Sequence, residues 1–189
     1  MAESLNADLY EQLIRGLAEY EHLAHQMEAT PSRLRRHGFG RRPYFQTLVC
    51  RRGRTPVGFA LYFYTYSTFL GRPSLYLEDL FVLPEERGRG AGKALLRALA
   101  KIAVARGCGR MEWTVLDWNT PSIRFYKGLG ARLHKEWVLT RLTGSGLGCR
   151  DWPNCEPGEL IGEMSAIDGS ERSATATARS GTRRRSSGL

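Results

Sequence analysis

The stretch that most constrains this fold is LEDLFVLPEERGRGAGKALLRAL, which runs from Leu77 to Leu99. Two adjacent carboxylates lead into a short apolar run that is typical of the end of a strand. A Gly-rich segment, RGRGAG, follows at residues 87–92, and after it apolar residues recur with helical spacing. This order predicts a strand, a Gly-rich loop and a helix N-terminus, an arrangement that lets a phosphate group approach the backbone.

Several patterns compete for the Gly-rich segment. A Walker A loop would need Gly at the position of Arg87 and Ser or Thr directly after Lys93. A dinucleotide fingerprint fits Gly88 and Gly90, but its third glycine position holds Lys93. The pattern R-x-x-G-x-G fits Arg87, Gly90 and Gly92. Taken alone, such a loop is equally consistent with a plain strand–helix turn.

Helices and strands are predicted on both sides of this loop. The predicted helices are Leu9–Leu23, Pro31–Arg36 with Thr30 as N-cap, Gly90–Arg106 and one that begins near Pro121. The predicted strands are Tyr44–Cys50, Val57–Tyr66, Ser74–Val82, Met111–Leu116 and Trp137–Leu142. Two helices, a meander of strands and then alternating strands and helices predict an α/β fold, with one sheet covered on both faces.

Length and composition predict one domain and a tail. The chain has 189 residues, of which 42% are hydrophobic, enough for one ordinary core. After Gly144 the composition changes, and the chain closes on SATATARSGTRRRSSGL, which is rich in Ser, Thr, Arg and Gly. We therefore expect a folded domain over residues 1–143 and a disordered tail over residues 144–189.

The charge is strongly basic. The formal net charge is +9, and the excess lies in residues 1–149, because residues 150–189 hold six basic and six acidic residues. Such an excess could attract cofactor phosphates or nucleic acid, but no nucleic-acid motif accompanies Arg183–Arg185.

Membrane and export signals are not evident in the sequence. No apolar run approaches the roughly 20 residues that span a bilayer, and the N-terminus has no signal-peptide core. The four cysteines show no close pairing pattern. We expect a cytoplasmic protein without a membrane partner.

Two further segments accompany the loop. VLDWNTPSIRFYKGLGA, at residues 115–131, places an Asn before a predicted helix and a Tyr within it, and GLAEYEHL, at residues 16–23, lies in the first predicted helix. With YLEDLFV and the Gly-rich loop, these motifs make residues 9–142 resemble the GNAT superfamily of acetyl-CoA-dependent N-acetyltransferases. The resemblance is to its branch of diamine (spermidine/spermine) and thialysine acetyltransferases. It implies a three-layer αβα fold with a mixed, mostly antiparallel sheet, and a homodimer.

The resemblance also implies where the co-substrate acetyl-CoA binds. The backbone after the two acids would pair with the pantetheine arm and polarise the thioester carbonyl, and the Gly-rich loop would hold the pyrophosphate. The implied contacts are Leu80, Phe81, Val82, Arg87, Gly88, Arg89, Gly90, Ala91, Gly92, Lys93 and Asn119. Asn119 is also consistent with a plain helix cap.

The chemistry of amine acetylation explains the need for an acid. A primary alkylamine has a pKa near 10.4, so it must lose a proton before it attacks. Because side chains alternate along a strand, we expect Glu78 and Asp79 to point to opposite faces, with only one facing the amine. The resemblance implies Glu78 for this place and Tyr126 as the general acid for the departing thiolate. A solvated strand end and an aromatic core residue are the alternatives.

The first helix offers acids for the substrate. The resemblance implies that Glu19 and Glu21 line the amine site with Glu78, although a solvated helix face is equally consistent. His22 and His25 have no evident third ligand, so no metal is predicted.

The predicted function is transfer of acetyl from acetyl-CoA to a primary amine of a small cationic substrate, a polyamine, a diamine or a lysine-like compound. Three alternatives stay open: a protein lysine or N-terminal acetyltransferase, a truncated acetyl-CoA-binding module and, least favoured, a basic nucleic-acid-binding protein.

The two ends of the chain depart from the resemblance. The family implies a strand before the first helix, but MAESLNA is short and polar, so we expect that strand to be missing or degraded. The segment from DWPNCEPGEL onward does not match the closing segment of the family.

Overall fold

The chain folds in the order of two helices, three strands, a helix, a short strand and a helix. A computed structural model describes residues 7–144 together with residues 165–166 and 174–175. The elements are α1 (Ala7–Tyr20), α2 (Pro31–Gly38), β1 (Gln46–Arg52), β2 (Thr55–Ser67), β3 (Arg72–Val82), α3 (Ala91–Ala105), β4 (Arg110–Glu112) and α4 (Thr120–Gly128). Two further short strands, β5 (Ser165–Ala166) and β6 (Ala174–Thr175), pair antiparallel as a second, two-stranded sheet.

The helices begin and end at residues that satisfy their free backbone groups. The Thr30 hydroxyl accepts a hydrogen bond from the Arg33 N–H at 3.2 Å, as the sequence predicts for the start of α2. The Asn119 side chain likewise accepts from the Ser122 N–H at 3.3 Å and caps α4. Gly107, at φ +69°, follows the end of α3, where the left-handed conformation favours glycine.

The sheet has the order β1-β2-β3-β4. β1, β2 and β3 are antiparallel neighbours, whereas β4 runs parallel to β3, so the predicted mixed, mostly antiparallel sheet is confirmed. β4 pairs with β3 only over Ser74–Tyr76. Within the described residues, the edge of β3 after Tyr76 has no strand beside it on that side.

Two apolar layers cover the sheet. On one face, α3 packs on β2 and β3 through the buried residues Leu95, Leu96, Leu99, Ala103, Ala60, Tyr62, Leu75 and Leu77. On the other face, α1 packs through Tyr10, Leu13, Leu17, Phe59, Leu61 and Phe81, with Leu34 of α2 in the same cluster. The result is the three-layer αβα arrangement predicted from the sequence.

A bulge interrupts β3 at the two carboxylates. Asp79 lies opposite Leu61 and Leu77 lies opposite Tyr62, so the register of the pair shifts and Glu78 has no residue opposite it. An extra residue in one strand of an antiparallel pair breaks the alternation of side chains at that point.

The packing on either side of the bulge shows this shift directly. Leu75 and Leu77 contact the α3 layer before the bulge, and Leu80 and Val82 contact the same layer after it. Phe81 contacts the α1 layer. The two carboxylates between them therefore share the α1 side of the sheet. The expectation that they point to opposite faces is wrong, because it assumed an unbroken strand.

The predicted strands near the end of the domain also differ from the structure. The strand expected at Met111–Leu116 is confined to Arg110–Glu112. The strand expected at Trp137–Leu142 is wrong, because residues 137–142 form no strand. Trp137 and Val138 are 77% and 84% exposed. An apolar run predicts an extended segment, but a strand also needs a hydrogen-bonded neighbour, and the described residues provide none for it.

The chain divides into two compact units, Met1–Ala131 and Arg132–Leu189. All elements from α1 to α4 belong to the first. The expectation for the segment before α1 lies outside the described residues, and so does the predicted tail apart from Gly144 and the β5–β6 pair. No described helix has the length and apolar character needed to cross a bilayer.

Candidate active site

A cavity of about 560 Å³ opens where β3 and β4 separate, a size typical of ligand sites. One wall is the free edge of β3, residues 77–82, and the opposite wall is the segment after β4, residues 113–115. The end of α1, the first turn of α3 and the inner face of α4 close the remaining sides.

The free edge of β3 presents main-chain groups to the cavity. The Leu83 N–H donates to the Val57 carbonyl at 3.0 Å. Because every second residue of an antiparallel strand bonds to the same neighbour, Phe81 also directs its backbone groups toward β2. Leu80 and Val82 therefore direct their N–H and C=O groups away from β2. Of the three residues predicted to pair with pantetheine, these two direct their backbone groups toward the cavity, where the Val82 carbonyl already accepts from the Arg87 Nε–H at 3.0 Å, and Phe81 contributes its buried ring to the α1 layer.

The Gly-rich loop exposes the start of α3. Gly88 and Gly90 have φ values of +72° and +89°, a conformation that favours glycine. A Cβ added at either position would meet nothing within 4 Å. The backbone conformation, and not crowding by neighbours, thus requires these glycines. Gly92 is different, because its φ is ordinary and an added Cβ would lie 3.6 Å from Phe125 Cζ, a normal contact.

The basic residues around the loop divide into two groups. Arg52 and Arg89 pair with Glu86, at 2.6 Å and 3.5 Å, and the hydrogen bond from Arg52 is the main cause that lowers the pKa of Glu86. Arg89, which is also predicted to contact the co-substrate, does not line the cavity. Arg87 and Lys93 do line it.

Three carboxylates on α1 and β3 also line the cavity: Glu21, Glu78 and Asp79. Burial, followed by the charges of Glu78 and Glu21, raises the pKa of Asp79 to about 7. Burial also raises the pKa of Glu21. Glu19, predicted with Glu21, is exposed and does not line the cavity.

Helical spacing explains why Glu21 and not Glu19 reaches the cavity, because Glu21 shares a face of α1 with Leu17 and Tyr20, which also line it. The Leu23 N–H donates to the Ala18 carbonyl at 2.8 Å and the His22 N–H to the Glu19 carbonyl at 3.1 Å. His22 itself has φ +61°. These bonds and the left-handed residue form a Schellman motif, in which α1 ends at Tyr20, Glu21 is the C-cap and the chain turns at His22.

Tyr126 projects from α4 and is buried, with 9% of its surface exposed. Burial, followed by the charge of Glu21 and the neighbouring Tyr20, raises the pKa of Tyr126 to about 12. The phenol therefore keeps its proton at neutral pH. Its ring packs on Trp113 and Phe125, with centroids 5.1 Å and 5.4 Å away.

Several cavity residues are not among the predicted site residues, and Asp79, Trp113 and Tyr20 are three of them. The sequence pattern places Asp79 on the other face of the strand, Trp113 in a strand without a role, and Tyr20 on the apolar face of the first helix. Tyr20 carried a usable signal, because it lies one residue before Glu21 in the motif GLAEYEHL. Within the described residues, no group of His, Cys, Asp and Glu could hold a metal ion.

The burial of Asp79 leads to a prediction about stability. Its pKa is about 7 in the folded protein and ordinary, about 3.9, in the unfolded chain. Between these values the folded state binds the extra proton, so stability falls as the pH rises from 4 to 7. Asp79→Asn removes the ionisation and should stabilise the protein at pH 8 by roughly 1–4 kcal/mol, with little effect at pH 4.

Urea unfolding at pH 4, 6 and 8 measures this difference. Asp117→Asn is the matched control, since Asp117 is exposed and lies outside the cavity. An Asp79→Asn variant no more stable than the wild type at pH 8 would contradict the burial of this charge.

Comparisons with known proteins match the same part of the chain. A model of the acetyltransferase (GNAT) family matches residues 8–131. A thialysine N-epsilon-acetyltransferase of Mus musculus is 38% identical over 147 residues, 72% of this chain and 86% of that protein. An L-ornithine N5-acetyltransferase of Arabidopsis thaliana is 50% identical over 90 residues, 48% of this chain and 40% of that protein. An integron cassette protein from the mobile metagenome of V. cholerae has a TM-score of 0.63 at 29% identity, over 75% of this chain and 88% of that one.

Proposed function

Because the chain belongs to the acetyltransferase (GNAT) family and is therefore an N-acetyltransferase, we propose that it transfers the acetyl group of acetyl-CoA to a primary amine of a small cationic substrate. The two relatives compared above carry small amine-bearing amino acids in their names, thialysine and L-ornithine. A diamine, a polyamine or a lysine-like amino acid is the substrate class that this proposal favours.

Groups of opposite charge in one cavity carry this proposal. Glu21, Glu78 and Asp79 line it and would attract a cationic amine, so we take them as its acidic end. Arg87, Lys93 and the N-terminus of α3 also line it and suit phosphate groups, so we take them as its donor end. Glu86 lines the cavity as well, but two arginines pair with it. A substrate with a positive charge and a donor with a pyrophosphate would thus meet between the two ends.

The residues around the donor end fit acetyl-CoA, which supplies an acetyl group bound as a thioester. The N–H and C=O groups of Leu80 and the N–H of Val82 can hydrogen bond to an extended arm as an added strand would, while the Val82 carbonyl accepts from Arg87. A backbone N–H at this edge can also polarise the acetyl carbonyl. The open space at Gly88 and Gly90 leaves the first N–H groups of α3 accessible to the pyrophosphate.

The acidic end would prepare the amine for attack. The carboxylates attract the protonated amine, and one of them accepts its proton, directly or through water. Family resemblance favours Glu78 as this base. Asp79 is a second candidate, because a carboxylate with a pKa of about 7 is matched to proton transfer at neutral pH.

Tyr126 would complete the reaction by protonating the departing sulfur. A thiol has an ordinary pKa near 8.5, so a thiolate leaves more easily when a donor stands beside it. Tyr126 lines the cavity and holds its proton up to a pH of about 12. Its hydroxyl is therefore available as an acid across the working pH range.

The donor site can be tested at Gly92. Gly92→Val adds a side chain at the first turn of α3, where the backbone conformation tolerates it. The variant should bind acetyl-CoA at least about tenfold more weakly, because the side chain blocks approach to the N–H groups of the helix. Calorimetric titration with acetyl-CoA measures this loss.

Gly128→Val is the matched control, since Gly128 lies in α4, has open space around it and does not line the cavity. Gly90→Val is a poorer test, because the positive φ at Gly90 strains any side chain. Unchanged affinity in Gly92→Val would remove the loop from the donor site.

The substrate class and the assembly need separate measurements. A screen of acetyl-CoA consumption over polyamines, lysine analogues and peptides would separate a small-amine enzyme from a protein acetyltransferase, and binding without turnover would indicate an acetyl-CoA-binding module. Labelled RNA or DNA that binds without competition from CoA would favour the nucleic-acid alternative.

We also propose a cytoplasmic homodimer, on family resemblance, and sedimentation of the purified protein tests the dimer.

A further inference from the structure

We propose that Tyr20 is a positioning residue, which fixes the start of α4 and thereby holds Tyr126 toward the cavity. The inference rests on the proposed role of Tyr126 as the general acid. Tyr20 is half-buried at the last residue of α1 and lines the cavity. Tyr20 and Tyr126 belong to different helices, so Tyr20 would affect the reaction through its contacts with Asn119 and Arg87.

The first contact joins α1 to the cap of α4. The Tyr20 hydroxyl donates to the Asn119 side-chain oxygen at 3.1 Å. The same oxygen accepts the Ser122 N–H at 3.3 Å and caps the helix. Asn119 is buried, with 5% of its surface exposed, so both bonds are shielded from competing water. The hydroxyl of Tyr20 therefore fixes the rotamer of the residue that begins α4.

The second contact joins Tyr20 to the donor end. The Arg87 guanidinium carbon lies 4.3 Å from the centroid of the Tyr20 ring, within the range of a cation–π interaction. The Arg87 Nε–H donates to the Val82 carbonyl at 3.0 Å. The ring thus supports an arginine of the donor end, while the hydroxyl supports the helix that carries Tyr126.

The two contacts can be separated by two substitutions. Tyr20→Phe removes the hydroxyl and keeps the ring, so kcat should fall about three- to tenfold with little change in the KM for acetyl-CoA. Tyr20→Leu also removes the aromatic face, so the KM for acetyl-CoA should rise in addition, by about two- to fivefold. Tyr66→Phe, at an exposed tyrosine outside the cavity, should change neither value.

A double variant distinguishes positioning of Tyr126 from a general structural role. If Tyr20 acts through Tyr126, the variant Tyr20→Phe/Tyr126→Phe should have a kcat within about twofold of Tyr126→Phe alone. The melting temperature without ligand is recorded for each variant. Losses that multiply in the double variant, or full kcat in Tyr20→Phe, would overturn the inference.

The outcomes also keep this inference apart from the proposed function. Reduced kcat in Tyr126→Phe together with unchanged kcat in Tyr20→Phe would overturn the role of Tyr20 alone. Full activity in Tyr126→Phe would overturn the general acid and, with it, the positioning of that acid by Tyr20. Binding of acetyl-CoA by both variants, measured by calorimetry, would show in either case that the donor site is intact.

Discussion

Replacing Tyr126 with phenylalanine should lower kcat by roughly 10²–10⁴ if proton transfer to sulfur limits the rate. The phenol holds its proton because burial raises its pKa to about 12, and phenylalanine fills the same space without an acid. Raising the pH cannot restore the missing donor, so the loss should persist across the pH range. The measurement is the pH–rate profile at saturating acetyl-CoA.

Tyr66→Phe serves as the control for this experiment, because Tyr66 is 65% exposed. Affinity for acetyl-CoA should change little in Tyr126→Phe, since Tyr126 is not among the groups proposed to bind the phosphates. A fully active Tyr126→Phe would return this side chain to the apolar cluster with Leu95 and Leu99 as a packing residue.

Glu78→Gln should give the second large loss, again about 10²–10⁴ where the free amine is scarce. If Glu78 is the base, the loss is greatest at neutral pH, and part of the rate returns at high pH, where the substrate deprotonates without help. The pH–rate profile of kcat/KM reports this recovery. Asp79→Asn is the parallel variant, since it removes the adjacent carboxylate while keeping the size of the side chain.

The two carboxylates give different profiles. Below pH 7 Asp79 is protonated in the wild type and cannot accept a proton, so a profile that falls on this acidic side would favour Asp79 as the base. Glu78→Gln removes a like charge that raises the pKa of Asp79, so the acidic side of the pH–rate profile should move to lower pH if Asp79 is the base. Retention of full activity by both variants would exclude a carboxylate base at the bulge.

The parts of the fold that depend on local sequence were predictable. The Thr30 cap and the positive φ values at Gly88 and Gly90 follow from residues a few positions apart. The donor end of the cavity was predictable as well, because the strand, loop and helix that form it follow one another within one short segment.

The acidic end was less predictable, because it depends on contacts between distant segments. The bulge at Glu78 arises from pairing with β2, so the shared face of Glu78 and Asp79 could not be read from β3 alone. Glu21 rather than Glu19 lines the cavity because it shares a helix face with Leu17 and Tyr20, and which face of α1 meets the cavity depends on how the helix packs on the sheet. The hydrogen bond of Tyr20 to Asn119 joins residues that are 99 positions apart.

Under the proposed function, the site would bind its two substrates through different kinds of group. The acyl donor would meet main-chain groups of Leu80 and Val82, which almost any substitution leaves in place. The amine would meet the side chains of Glu21, Glu78 and Asp79, and each can be replaced singly. Point mutation could then retune which amine this scaffold accepts while these main-chain contacts to the acyl donor stay unchanged, so that the acceptor would be the evolvable half of the reaction.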